Sequence, residues 1–459
     1  MAFLDGMTTR QDKFAVRVDL SIMPSVSDVA KKSTQWMEYV YVVVLLTALT
    51  QGPVFKLWLA SAQTAGIPIF ETYRFTFIAF QIPALILLGY RIKFSRDHMI
   101  SVTLLAAFVS WMWLSTLWST SGRDTIVDAT ALVVTAATGL YVARSFSQVQ
   151  QMLMVCFAMQ PGVVLSYFAV KRNWEFAVSI EGHWVGIYFN RNSLAPVAAV
   201  GGLAALGLLW IVVIRRYKFW WPSLVFVLIN VVLVDGYVLY RTQSSTSVGA
   251  LVAFGLVWVF WSVVRLLYRR RFLTLVRIRR YVYVSFFATA SVGIWIVFKF
   301  QSTLLRWLGQ EDLFNGREAI WHYGWTGFLE RPILGWGWMS AWKSSIFLRR
   351  DLWWTVQGAQ LSHSSYIDIL LGGGVIGAAL LLVVLVYGGF LQLENALSVT
   401  AGQWTYSIMF FVLLASTQES FIGGNHFLWL LLIASVMGGD DTDLKTKKCT
   451  VTALQEATT

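Results

Sequence analysis

The chain has 459 residues, 57% of them hydrophobic and only 13% charged, and its mean hydropathy is +0.62. Soluble domains carry about a quarter charged residues, so a soluble globule is excluded and a lipid-embedded chain is expected. The net charge of +12 lies in short basic clusters beside apolar runs, where membrane topology explains it and nucleic acid is not needed as a partner.

Residues 1–36 contain Lys, Arg, Asp and Ser without a compact apolar core. They read as a flexible cytoplasmic arm, not a cleavable leader. Twelve apolar runs follow, at 38–55, 74–90, 98–118, 125–142, 148–168, 193–214, 219–238, 247–267, 281–299, 366–390, 405–420 and 424–438. Each approaches the ~20 residues that carry a helix across a bilayer. An all-α polytopic membrane protein of about 12 transmembrane helices is expected, with 37–438 as its single membrane domain and 439–459 as a polar cytoplasmic tail. Cys156 in an apolar run and Cys449 in the tail make neither a disulfide framework nor a zinc site. No metal or other cofactor is expected.

Lys and Arg gather on the cytoplasmic side of membrane proteins. One alternating set of connections holds Arg91, Lys93 and Arg96, then Arg144, then RRYK at 215–218, then RLLYRRRFLTLVRIRRY at 265–281. With the arm and tail, this set takes the larger share of the basic residues, although the other side has the longest loop. Both termini are therefore expected in the cytoplasm. The segments 169–192 and 300–365 face outward.

The long loop contains eight tryptophans: Trp307, Trp321, Trp325, Trp336, Trp338, Trp342, Trp353 and Trp354. Loops of that length are as a rule functional or disordered, and this one lacks the composition of disorder. Within it, GREAIWHYGWTGFLERP (316–332) spells an amphipathic helix. Trp321, Trp325 and Phe328 share one face, Glu318, His322, Thr326 and Glu330 the other, and Pro332 stops it. Such a helix suits the membrane surface as an aromatic belt, and equally a wall of rings on which sugars stack.

Ionisable groups inside spans are costly and by default mark a site or a path. Asp128, Asp235 and Asp368 lie near the outward ends of their spans, as do Arg191 and Arg241; Arg317 opens the loop helix, and His363 shortly precedes Asp368. A closed bundle would bring them to one depth. The plainer alternative for Asp128 and Asp235 is a neighbouring arginine, and for His363 an ordinary interfacial histidine. Arginine's planar fork holds phosphate, and several arginines stabilise a diphosphate leaving group. Histidine takes a proton from an attacking hydroxyl near neutral pH. The paired carboxylates of a glycosidase are not visible. The pattern points to metal-independent group transfer from a lipid-linked diphosphate.

LSTLWS (114–119) has the form Ser-x-x-Trp-Ser, and HWVGIYFNRNSLA (183–195) places a basic residue before Asn, at Arg191-Asn192. TQSSTSVGAL (242–251) is a Ser-rich turn into a span; GREAIW, RPILGWGW (331–338) and LSHSSYIDILLGGGVIG (361–377) follow. In this order and spacing, over roughly 110–380, they resemble the O-antigen ligase and O-antigen polymerase superfamily of bacterial inner-membrane glycosyltransferases.

That resemblance implies a type-C glycosyltransferase-like fold of the second class, with an outward cavity under the long periplasmic loop. It implies a donor glycan on undecaprenyl diphosphate and no metal. Carried over by position, Arg191 and Arg317 would grip the diphosphate. His363 would activate the acceptor hydroxyl or steady the leaving group, with Asn192, Asp368, Trp321 and Tyr366 in support. Ser364 stands where Asn is common, which leaves open what orients His363. The Arg often found in the Ser-rich segment is absent, and Arg241 takes its place.

Two activities share this frame. A polymerase extends a lipid-linked glycan, usually beside a chain-length regulator; a ligase passes finished glycan to a lipid or protein. The Ser-Ser-Thr-Ser segment is closer to the exopolysaccharide polymerases. A membrane transporter or lipid flippase is the alternative that many spans with buried acids allow. No internal repeat supports it, and the polar groups lie near the surface, not the midplane.

Overall fold

The computed structural model describes residues 26–54, 69–91, 96–215, 221–270, 272, 278, 317–343, 361–398 and 402–438. The chain divides into two compact units, Met1–Val42 and Val43–Thr459. The described part of the first is helical and belongs to α1 (Val26–Leu49). This helix begins inside the stretch expected to be a flexible arm. No glycine or proline interrupts residues 26–49, so nothing stops it earlier.

The second unit continues with α2 (Ile69–Arg91), α3 (Arg96–Leu114), α4 (Gly122–Ser145), α5 (Gln148–Lys171) and α6 (Arg191–Arg215). Then come α7 (Trp221–Thr242), α8 (Ser245–Arg269), α9 (Arg317–Glu330), α10 (Ser365–Leu391), α11 (Gly402–Ala415) and α12 (Phe427–Val436). Among the described residues, β-structure is confined to one isolated bridge between Val178 and Trp184. Seven of the described helices, α3 to α8 and α10, are long and apolar enough to cross a membrane. The chain is an all-α, multi-pass membrane protein. The expected span 281–299, the first 25 residues and the tail lie outside the described residues.

α12 departs from the simple picture of a span. Its 10 residues are all buried, and a helix of that length rises only ~15 Å where a bilayer core needs ~30 Å. It is apolar all round because it is packed all round, against α4, α10 and α11. The expected span 405–420 is also cut short. α11 ends at Ala415, and Ser416–Ser420 leave the helix to make the polar contacts described below.

Three sequence elements form one scaffold. Gly374 breaks α10 with φ 65° and ψ −165°, a region that is essentially glycine-only. The Val375 N–H, which an unbroken helix would direct to Leu371, donates to the Pro332 carbonyl at 2.8 Å. The Leu371, Gly372 and Gly373 carbonyls accept from Trp336 N (2.7 Å), Gly337 N (3.1 Å) and Trp111 Nε1 (2.8 Å). Ser115 Oγ accepts from Trp338 N at 2.9 Å, and Trp118 Nε1 donates to the Leu334 carbonyl at 3.1 Å. LSTLWS, RPILGWGW and LLGGGVIG therefore satisfy one another's backbone, as a broken helix in a membrane protein requires.

A methyl group on Gly374 would land on the Ile333 carbonyl. Gly374→Ala is expected to cost at least ~1–3 kcal/mol of backbone strain, seen as a lower thermal midpoint in detergent. Gly236→Ala in α7, where a Cβ meets nothing within 4 Å, should leave the midpoint unchanged or raise it.

α9 ends two residues before Pro332, as expected, but its buried face differs. Tyr323, Gly324, Gly327 and Phe328 are buried, whereas Trp325 is 49% exposed. Gly324 lets α9 approach α10 closely; a Cβ there would lie 2.7 Å from Ile367. Tyr323 and Phe328 join Trp336, Ala341, Trp342 and Leu371 in a buried cluster. Close packing, not ring count, selected the inner face.

Candidate functional site

The loop 416–426 is held from several sides. Ser365, at the start of α10, donates its N–H to the Ser416 carbonyl (3.0 Å) and its hydroxyl to the Glu419 carbonyl (3.2 Å), and accepts from Ile422 N (2.9 Å). Asn425 accepts from Gln81 through its side-chain oxygen (3.1 Å), from Gln51 through its carbonyl (3.1 Å), and donates its N–H to Thr135 Oγ1 (2.9 Å). Thr246 donates to Gln418 Oε1 at 2.7 Å. The result presents Glu419 at the meeting point of α6, α8, α9 and α10.

Glu419 is buried, and three side chains converge on its carboxylate. Arg317 Nη2 lies 2.5 Å from Oε1, while Arg317 Nη1 donates to the Gln418 carbonyl. Asn192 Nδ2 donates to Oε1 at 2.7 Å, and Asn192 Oδ1 accepts from the Ser244 hydroxyl at 3.0 Å. His363 Nδ1 lies 3.1 Å from Oε2. Burial alone would raise the Glu419 carboxyl. The His363 hydrogen bond and the charge of Arg317 outweigh it and hold the group below the usual carboxylate range. It is an ionised acceptor at neutral pH.

A carboxylate only accepts hydrogen bonds, so Nδ1 of His363 carries the hydrogen and Nε2 of the neutral ring carries the lone pair. The orienting contact left open by Ser364 is thus made by Glu419. His363 occupies φ 53°, an uncommon conformation for a non-glycine residue, and its neighbours over-determine it. Ser362 N donates to Asp368 Oδ1 at 3.1 Å, Ser362 Oγ donates to the Ser364 carbonyl at 2.6 Å, and Trp321 Nε1 donates to the Ser362 carbonyl at 3.0 Å. Asp368 also accepts from Trp342 Nε1 (3.2 Å) and Ser420 Oγ (2.5 Å). It ties the His363 loop to the Glu419 loop. Tyr366 donates to the Leu413 carbonyl at 2.7 Å.

The expected single layer of charges is only partly formed. Arg317, His363 and Asn192 converge, and Asp368 braces the loops that carry His363 and Glu419; Asp128, Asp235, Arg191 and Arg241 have other partners. Asp128 pairs with Arg74 at 3.3 Å, beside the Arg74–Asp124 contact at 3.3 Å, which is the plain ion pair foreseen for it. Asp235 is buried against Gln160 Nε2, at 3.0 and 3.3 Å from its two oxygens. Its partner is an amide, not the arginine expected, and Gly201 of α6 packs against the carboxylate. Arg191 begins α6 and meets the exposed Glu181 at 3.8 Å, while His183 Nε2 lies 3.2 Å from the same oxygen. Burial first, then Arg191, lowers His183 below the usual imidazole range against the pull of Glu181. Arg241 stacks its guanidinium on Trp184, 5.3 Å from the ring centre.

Sequence reasoning missed Glu419, and with it Ser365 and Gln418. The signal was present: an acid at the end of an apolar run, the criterion that singled out Asp128, Asp235 and Asp368. Residues 231–382 match the family model described as O-antigen ligase. No curated protein and no solved structure matches the chain. The matched segment contains Arg241, Arg317, His363 and Asp368. The structure adds Asn192 and Glu419 from outside it.

Proposed function

We propose, for a chain whose residues 231–382 match the family model described as O-antigen ligase, that His363 is the proton acceptor of a membrane enzyme joining glycans. The contact of His363 Nδ1 with Glu419 carries this reading, because it leaves Nε2 as a base. The acceptor hydroxyl oxygen attacks the anomeric carbon of a glycan on undecaprenyl diphosphate. The bond from that carbon to the diphosphate oxygen breaks, its electron pair leaves with the lipid diphosphate, and the hydroxyl proton passes to His363 Nε2. Arg191, next in the chain to Asn192, and Arg317, paired with Glu419, offset the developing charge. Trp321 and Asp368 hold the His363 loop.

The acceptor is a second lipid-linked glycan, which makes the protein a polymerase of O-antigen or exopolysaccharide. It works in a bacterial inner membrane with this site toward the periplasm and both termini in the cytoplasm, beside a chain-length regulator. A ligase delivering glycan to a lipid or protein would use the same residues. The family match favours transfer over transport.

Purified protein given lipid-linked oligosaccharide from its own host is expected to yield a ladder of longer lipid-linked glycans and released undecaprenyl diphosphate, read by gel and mass spectrometry. His363→Ala should abolish both, a loss of about 10²–10⁴-fold. Transfer only after addition of a core lipid or protein would make it a ligase. A folded protein inactive with every acceptor would sink the enzymatic reading.

A further inference from the structure

A cavity of about 530 Å³ lies between the end of α5, the loop that follows, and the end of α7. Its walls include Lys171, Asn173, Trp174, Trp184, Tyr237 and Arg241. Its size falls within the roughly 300–1,000 Å³ of small-molecule sites. The walls are built, not incidental. Trp184 is buried and braced edge-on by Tyr237, with centroids 5.4 Å apart at 89°, and by Tyr167 at 6.0 Å. Its N–H donates to the Arg241 carbonyl at 3.1 Å, so the loop and the end of α7 are joined by backbone.

Two kinds of chemistry meet here. Trp174 and Tyr237 are both more than 40% exposed and offer the flat faces on which the C–H side of a sugar ring stacks. Lys171 and Arg241 supply the charge; two basic and no acidic residues line the cavity. Glu181, next to the lining residue Gly182, is engaged with His183 and Arg191 instead. Arg241 is three residues from Ser244, which reaches Glu419 through Asn192. Arg241 is therefore linked to the Glu419 cluster through a short stretch of chain.

We propose that this cavity is a saccharide subsite selective for an acidic sugar, with the uronate carboxylate on Arg241 and Lys171 and the ring on Trp174 and Tyr237. It rests on the glycan reading above and goes further: the glycan handled by this protein contains an acidic residue. Arg241 then serves the sugar, not the diphosphate.

Fluorescence polarisation in detergent would compare labelled tetragalacturonate with equally labelled maltotetraose. Wild type is expected to bind the uronate at least tenfold more tightly. Lys171→Gln and Arg241→Gln should each erase that preference and leave maltotetraose binding unchanged. Lys171 provides the second variant because its ammonium lies over Tyr167, whereas Arg241 stacks directly on Trp184. Equal affinity for the two sugars, a preference that survives both substitutions, or displacement of the uronate by equimolar inorganic diphosphate would each overturn the proposal. Acid-selective binding that persists in His363→Ala would support the subsite even if no transfer were found. Transfer lost in His363→Ala without acid selectivity would sink the subsite alone.

Discussion

Glu419→Gln is expected to lower kcat by about 10²–10⁴-fold, the contribution of a well-placed general base, with little change in KM for the lipid-linked donor. The amide is nearly the same size, but it no longer compels Nδ1 of His363 to carry the hydrogen. An imidazole free to take the other tautomer presents an N–H where the acceptor hydroxyl needs a lone pair. The substitution also strips Arg317 of its counter-charge, and breaking a buried ion pair costs about 3–5 kcal/mol. A fall in activity is therefore compared with the amount of folded enzyme, measured by thermal unfolding. The decisive test is coupling. Residues that act as a unit are non-additive, so adding Glu419→Gln to His363→Ala should cost little further activity. A full second loss in the double variant would show that Glu419 does not act through His363.

Arg317→Lys keeps the charge and loses the fork. Arg317 spans the Gln418 carbonyl and the Glu419 carboxylate with its two terminal nitrogens, and a lysine has one nitrogen for both. A hydrogen bond to a charged group is worth about 1.5–3 kcal/mol. Transfer is therefore expected to fall by roughly 10–150-fold, at about tenfold per 1.4 kcal/mol. The mechanism is displacement of Glu419, so His363→Ala/Arg317→Lys should again fall little below His363→Ala. Near-normal turnover by Arg317→Lys would reduce Arg317 to a cap on α9. Arg317→Met, which leaves Glu419 without its cation, should show the larger loss of stability, about 3–5 kcal/mol.

Much of this was legible in the chain. Length and hydropathy sufficed for the membrane class, because a ~20-residue apolar run has few other homes. Pro332 stopped α9 as written. The ordered motifs led to Arg317 and His363, which the structure joins through Glu419. The layer of charges did not close around every candidate. Asp235 and Arg241 looked like members of it because sequence reports depth along a span, not the direction in which a side chain leaves it. Asp235 turns to Gln160 on α5, and Arg241 to Trp184.

What the sequence determined by itself is therefore what depends on local composition: an all-α membrane protein and a helix end set by Pro332. Pairing was decided only by the tertiary structure. Glu419 lies 56 residues from His363 and 102 from Arg317, separations at which no periodicity in the chain records contact. It becomes a site residue because Ser365, Asn425 and Thr246 hold the 416–426 loop where α6, α8, α9 and α10 come together. In that buried place, desolvation makes an unpartnered carboxylate too costly to keep, so the arginine, asparagine and histidine that answer it are a property of the fold.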